Sequence, residues 1–367
     1  MPDNSFHGCL TDPPYGLSFM GHQWDHGVPS AEVWREVLRV LRPGAALLAF
    51  GGTRTFHRLT CAIEDAGFEV RDCLMWLYGS GFPKSLDVGK ALDKAAGAVR
   101  GLVERERPDG KKTGHATTGF VAGATDSSLK RSDVALTEAA RQWSGYGSAL
   151  KPAFEPIIVA RKPLVGTIAQ NVQAHGCGAL AIDASRVGAD GATRRGSQAP
   201  YPKRSDGKDD RSGSWARTGH SVEPAPKGRW PSNVILDEEA GAALDAQSGH
   251  LQSHGGGGTV SMGYRGGSMQ YRPIPKGDSG GASRFFYCAK ASKAERGKDN
   301  IHPTVKPLAL TTYLARLILP PVEGSRLLVP FCGSGSEMLG GTRAGWSHVE
   351  GIDSWDVAVK IARARTA

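Results

Sequence analysis

Four consecutive residues near the N-terminus, Asp12-Pro13-Pro14-Tyr15, combine a carboxylate, two ring-locked backbone positions and an aromatic ring. The exocyclic amine of a base is a poor nucleophile because its lone pair is delocalised into the ring, so a catalyst must hold its hydrogens while the nitrogen attacks. Asp12 supplies an acceptor for one N–H. The proline-fixed turn can aim the Pro13 carbonyl at the other, and Tyr15 offers a face on which an extruded base can stack. The same four residues also make an ordinary tight turn, and alone they do not separate the two readings. Their position favours chemistry: residues 6–12 read as a short apolar strand, and ligands of open α/β sheets gather at strand carboxyl ends.

A second segment, Val329-Pro330-Phe331-Cys332-Gly333-Ser334-Gly335-Ser336, reads as a strand, a glycine turn and the start of a helix. Glycines let a ligand approach the backbone, and a helix N-terminus presents free N–H groups. Asp353 ends the next expected strand, eighteen residues after Gly335, where an acid can hold the two ribose hydroxyls of a nucleoside cofactor. A helix N-cap is the other reading of Asp353, and both can hold. The third segment, His302-Pro303-Thr304-Val305-Lys306-Pro307, is a rigid lead-in to an amphipathic helix, with Lys306 available for a carboxylate.

The elements that must position these residues follow from periodicity. Ser30 can cap a helix whose apolar face runs through Val33, Trp34, Val37, Leu38 and Leu41, stopped by Pro43-Gly44. A buried strand over 45–50, a helix over 55–66 ended by Gly67, and a strand over 68–77 come next. Beyond Gly79 the chain turns polar and Gly-rich for a long stretch that contains one clear strand, residues 155–160. Regular structure resumes with a strand at 285–289, a helix at 308–319, a strand at 326–329, the glycine turn and its helix, a strand at 348–352 and a final helix. The alternation predicts an open α/β sheet closed by a βαβ unit, with no internal repeat.

Composition narrows the partners. Lys and Arg number 45 against 36 Asp and Glu, giving a formal charge of +9, which suits a polyanion without demanding one. Between Arg186 and Arg229 ten basic residues face five acidic ones, with Tyr201, Trp215 and Trp230 interleaved. Basic plus aromatic suits nucleic acid, and a solvated loop tract is the alternative. The six scattered cysteines carry no C-x-x-C pair and read as reduced thiols in a cytoplasmic protein, and no apolar run approaches a membrane span. Gly277-Asp278-Ser279-Gly280-Gly281 resembles the nucleophile segment of trypsin-like proteases, but the disulfide-stabilised framework of that chemistry is not visible. His175 beside Cys177, and the pair His250 and His254, read as loop histidines, and no metal is expected.

The three segments, in this order, resemble the β-class DNA amino-methyltransferases, in which a D-P-P-Y block comes first and H-P-T-x-K-P with F-x-G-x-G closes the chain. Gly81-Phe82-Pro83-Lys84-Ser85 and Lys151-Pro152-Ala153-Phe154-Glu155-Pro156 are similar to prophage-type members. The resemblance implies a Rossmann-like, circularly permuted S-adenosylmethionine-dependent sheet with a large inserted target-recognition region. It divides the chain into a catalytic half (1–90), a recognition insert (91–284) and a cofactor half (285–367). By the same likeness Asp12, Pro13, Pro14 and Tyr15 are catalytic. Phe331, Gly333, Gly335 and Asp353 contact S-adenosyl-L-methionine, Thr304 and Lys306 border its methionine end, and the partner is double-stranded DNA, with any restriction partner left open.

Two departures stand out. Family members usually carry Asp-Pro-Phe where this chain has Val329-Pro330-Phe331, so a carboxylate near the cofactor's amino group is absent. Relatives also have a strand and an acidic turn before the segment matching Pro2-Asp3-Asn4-Ser5, so the expectation is a late start and a sheet lacking one edge strand. Cytosine-N4 enzymes of the group more often carry Ser before Pro-Pro-Tyr, and protein- or RNA-directed relatives generally Asn, so Asp12 favours adenine N6. A DNA-binding remnant without catalysis is the rival of another class.

Overall fold

The computed structural model describes residues 1–17, 25–81, 85–104, 129–188, 228–252, 259–265, 268–273, 279–289 and 305–366. Thr304, His254, Gly277-Asp278 and most of the 186–229 tract lie outside the described residues.

Eight strands form one sheet: β1 (Phe6–Thr11), β2 (Leu41–Phe50), β3 (Glu69–Leu77), β4 (Phe154–Arg161), β5 (Val234–Asp237), β6 (Tyr287–Ala289), β7 (Arg326–Pro330) and β8 (His348–Ile352). Their order across the sheet is β6-β5-β3-β4-β2-β1-β7-β8. All neighbours are parallel except β4, which runs antiparallel to both β2 and β3. The first strand therefore lies between the second and the seventh, so the two ends of the sequence meet in mid-sheet. Register fixes the meeting point: Cys9 pairs Leu328, and the Thr11 hydroxyl donates to the Pro330 carbonyl at 2.5 Å.

Nine helices, α1 (Ala31–Val40), α2 (Phe56–Asp65), α3 (Val88–Ala95), α4 (Glu138–Gln142), α5 (Ile168–His175), α6 (Glu238–Ser248), α7 (Leu308–Leu317), α8 (Ser336–Ala344) and α9 (Asp356–Thr366), are found among the described residues. Strands buried on both faces read as unbroken apolar runs because alternate side chains serve opposite cores. Leu10, Leu48, Phe50 and Ile157 face one core with Leu310, Leu314 and Leu317 of α7. Cys9, Leu47, Ala49 and Ile158 face the other with Trp34 and Val37 of α1 and Leu59 and Ile63 of α2. No helix among the described residues is long and apolar enough to cross a membrane.

The expected α/β alternation is present, with local corrections. Helix α1 ends at Val40, and Leu41 already belongs to β2. Pro43-Gly44 is no stop; it lies inside the strand, where pairing jumps from Phe6–Leu41 to Gly8–Ala46. Gly44 at φ +77 permits that excursion, which Asn171 Nδ2 holds by donating to the Pro43 carbonyl at 2.9 Å. Ser30 sits at the N-cap without a side-chain cap bond, and Val33 is exposed while Trp34, Val37 and Val40 are buried.

The chain divides into a unit of residues 1–80 with 154–367 and a second of residues 81–153. Among the described residues of the second, a buried carboxylate gathers several donors. Asp93 accepts from Arg100 Nε at 2.6 Å, from the Leu136 and Thr137 backbone N–H groups, and from the Thr137 hydroxyl. Burial alone would raise its pKa, but these donors outweigh it and hold the group below the usual carboxylate range.

Candidate active site

Asp12, Pro13, Pro14 and Tyr15 follow the last residue of β1, at the carboxyl end of a central parallel strand. Asp12 is the hub of a charged cluster drawn from three distant segments. Its Oδ2 accepts from Lys306 Nζ at 2.8 Å, and its Oδ1 accepts from the Tyr15 hydroxyl at 2.8 Å. Glu155, at the start of β4, lies 3.2 Å from Lys306 Nζ and 3.1 Å from the Tyr15 hydroxyl. One phenolic proton faces two carboxylates, so the shorter contact gives it to Asp12 and leaves Glu155 to the ammonium. Lys306 also donates to the Tyr15 oxygen at 3.1 Å, and its charge lies 5.3 Å from the Tyr15 ring centroid and 4.8 Å from that of Phe50.

Burial opposes the charge on Lys306, whose side chain is 8% exposed, but Asp12 and Glu155 outweigh it and push the pKa up. Removal from water, then Asp12 and Glu155, push the Tyr15 phenol well up as well. The cluster therefore stays a protonated Tyr15 and a charged Lys306 across the physiological range. Asp12 is 16% exposed, and a carboxylate offers about four lone-pair directions, so it can accept one further donor.

The turn after Tyr15 is fixed by a residue that sequence reasoning missed. Asp25, buried, accepts the Gly16 N–H at 2.8 Å and the Leu17 N–H at 3.2 Å, with Gly16 at φ +68. On the β2 side Gly52 makes room for Tyr15: a Cβ there would lie 3.2 Å from the ring. Glu155 was missed in its role too. Its only sequence signal was the Lys151–Pro156 likeness, which carries no geometry.

Beside this cluster β7 ends in the glycine turn. Phe331, at φ +56, takes a left-handed conformation that a bulky residue rarely adopts, and Gly333 and Gly335 follow at φ +47 and +82. The turn is clamped from two sides. Asp353 Oδ2 accepts the Gly333 N–H at 2.8 Å, and its Oδ1 accepts the Trp355 N–H at 2.8 Å. Arg365 donates to the Ser334 carbonyl at 2.6 Å and to its hydroxyl at 2.9 Å. Asp353 directly follows β8 and ties the turn to the segment leading into α9; that helix begins at Asp356, so Asp353 does not occupy its N-cap. Helix α8 opens directly from Gly335, its N-terminus in line with the turn. Of the sequence-selected residues, Asp12, Tyr15 and Lys306 come into direct contact, while Gly333 and Asp353 form the neighbouring turn. Lys306 is engaged by the protein's own carboxylates.

A mixed α/β sheet with a charged cluster at one central strand end and a glycine turn with a following acid at the next defines a Rossmann-like sheet in permuted order, Asp12 strand before glycine strand. A model described as DNA methylase matches residues 6–339, and the chain belongs to that family, the N6/N4 DNA methylases. The chain is 29% identical over 225 residues to the Type II methyltransferase M.HindIII of Haemophilus influenzae, a match that covers 49% of this chain and 60% of that relative's length. Solved structures with likeness include the M1.HpyAVI–SAM complex (TM-score 0.38, 12% identity, 98% of this chain and 89% of that one). Another is the cytosine-N4-specific PvuII DNA methyltransferase (TM-score 0.42, 11% identity, 100% and 81%).

Proposed function

We propose that the protein transfers a methyl group from S-adenosyl-L-methionine to the exocyclic N6 amine of adenine in double-stranded DNA. The observation that carries this is the adjacency of the Asp12-Tyr15 strand end to the glycine turn at Phe331–Gly335, the two joined through Thr11 and Pro330. The residues present fit the cofactor: positive-φ glycines open the backbone, a helix N-terminus follows, and Asp353 stands at the end of the next strand. When bound, the cofactor supplies an activated sulfonium methyl.

The chain's own residues do the rest. Asp12 accepts one hydrogen of the extruded adenine's amine and the Pro13 carbonyl the other, which holds the nitrogen lone pair toward the methyl. Tyr15 supplies the stacking ring, anchored by its hydroxyl. Lys306 and Glu155 are positioning residues that fix the Asp12 carboxylate, so the work is orientation and hydrogen-bond electrostatics. Phe331, Gly333, Gly335 and Asp353 hold the cofactor, and target recognition is assigned to the 91–284 region. Asp rather than Ser before Pro-Pro-Tyr is the feature that favours adenine over cytosine.

Asp12→Ala is expected to lower methyl transfer by about 10³-fold while DNA affinity changes less than threefold, read by fluorescence anisotropy on the same preparation. Equal loss of both would remove Asp12 from the role given to it.

A further inference from the structure

The first turn of α8 holds a buried charge that the reading above does not use. Glu337 is 4% exposed, and its Oε1 is enclosed with no hydrogen-bond partner; the carboxyl's contact is its own backbone N–H. An enclosed carboxylate oxygen without a donor is costly, on the order of 1–3 kcal/mol or more. A donor that arrives with a ligand would remove that cost.

The surroundings indicate which donor. Asp12 after β1, Lys306 before α7 and Arg365 on α9 are the charges that act on Glu337. Lys306 is committed to Asp12 and Glu155, and Arg365 reaches the Ser334 carbonyl and hydroxyl. Three carboxylates, Asp12, Glu155 and Glu337, therefore act on one lysine, and this corner of the site is short of a cation. S-adenosylmethionine has an ammonium on its amino-acid arm. In the proposed reaction Asp12 would hold the amine beside the methyl and Asp353, after β8, would hold the ribose, which would leave the amino-acid arm to the residues on the Asp12 side of the glycine turn. β7 offers no acid of its own there, since Val329 is a fully buried aliphatic residue.

We infer that Glu337 is the carboxylate that binds the α-ammonium of the cofactor's methionine arm, an inference that rests on the Phe331–Gly335 turn being the cofactor cradle. Burial, then the charge of Asp12, push the Glu337 carboxyl up to about 7, with Lys306, the backbone N–H and Arg365 pulling the other way. A cation at Oε1 lowers that value. Binding therefore displaces a proton from the protonated fraction, and affinity rises with pH from about 6 to about 7.5, a range in which the α-amino group itself stays largely charged.

The test is isothermal titration of the full chain, without DNA, with two probes: S-adenosylhomocysteine, which keeps the ammonium, and 5′-methylthioadenosine, which lacks the amino-acid arm. Glu337→Gln is expected to weaken S-adenosylhomocysteine about tenfold, to flatten its rise with pH, and to leave methylthioadenosine within twofold. Unchanged S-adenosylhomocysteine affinity, or equal loss of both probes, overturns the assignment. Asp353→Ala, titrated in parallel, is expected to weaken both probes. If it weakens both and Glu337→Gln weakens neither, the cradle stands and Glu337 falls; if Asp353→Ala changes neither, cradle and assignment fall together.

Discussion

The two strand ends at the centre of this site, β1 and β7, lie side by side and are built differently. β1 ends in charge: Asp12, Tyr15, Lys306 and Glu155 share a network of short contacts. β7 ends in backbone: Phe331, Gly333 and Gly335 take left-handed conformations, and the nearby side chains clamp the turn. The difference suits two tasks. In the proposed reaction the side-chain acceptor of the amine must be held still, and the counter-charges around Asp12 do that. Approaching a cofactor needs room beside the backbone, which side chains would obstruct.

Breaking the charged end has the largest expected effect. Lys306→Met leaves Asp12 and Glu155 facing each other in a partly enclosed site without a cation, with a loss of about 3 kcal/mol of stability read by chemical denaturation. Adding Glu155→Gln recovers part of it. A single-variant loss below about 0.5 kcal/mol would mean that water screens the pair.

The opposite, amino ends of the same two strands provide a contrast. His7 of β1 accepts the Arg326 N–H of β7 at 3.1 Å, and burial, then Arg42 and Arg326, lower its pKa to about 4. The unfolded chain binds this proton below about 6.5 while the folded chain does not, so stability is full above that pH and falls as pH drops toward about 4. Between pH 7.5 and 5 the loss amounts to about 2 kcal/mol. His7→Asn, which retains an acceptor that does not titrate, is expected to remove that slope in urea titrations at the two pH values. An unaltered slope would place the titration elsewhere.

The backbone-built end is tested by Gly335→Ala. The φ of +82 and a Cβ 3.1 Å from that of Ala362 predict a loss of about 1–2 kcal/mol in the melting curve, with cofactor affinity lowered and DNA affinity unchanged. If DNA affinity falls instead, the division of labour between the two ends is wrong.

Much of this site could be read from sequence because it is local. Apolar runs ended by Asp12-Pro13-Pro14-Tyr15 and by the glycine turn announce strand ends, and β8 matches its expected bounds of 348–352. What could not be read is long-range. Glu155 meets Tyr15 across 140 residues and Lys306 meets Asp12 across 294, separations that no periodicity encodes. The antiparallel insertion of β4 between β2 and β3 likewise depends on pairing, since its apolar run would serve a parallel neighbour equally well. Leu41 and Pro43-Gly44 misled for the opposite reason. Their local signals described a helix stop, but pairing with β1 absorbed them into a bulged strand.

The most direct test of the account is transfer of a tritiated methyl group from S-adenosylmethionine to mixed genomic DNA, followed by mass spectrometry of the digested nucleosides. Labelled N6-methyladenine, absent with Asp12→Ala, is the predicted result. Label on N4-methylcytosine would overturn the choice of base, and no label on DNA from a preparation that binds the cofactor would contradict the proposed reaction itself.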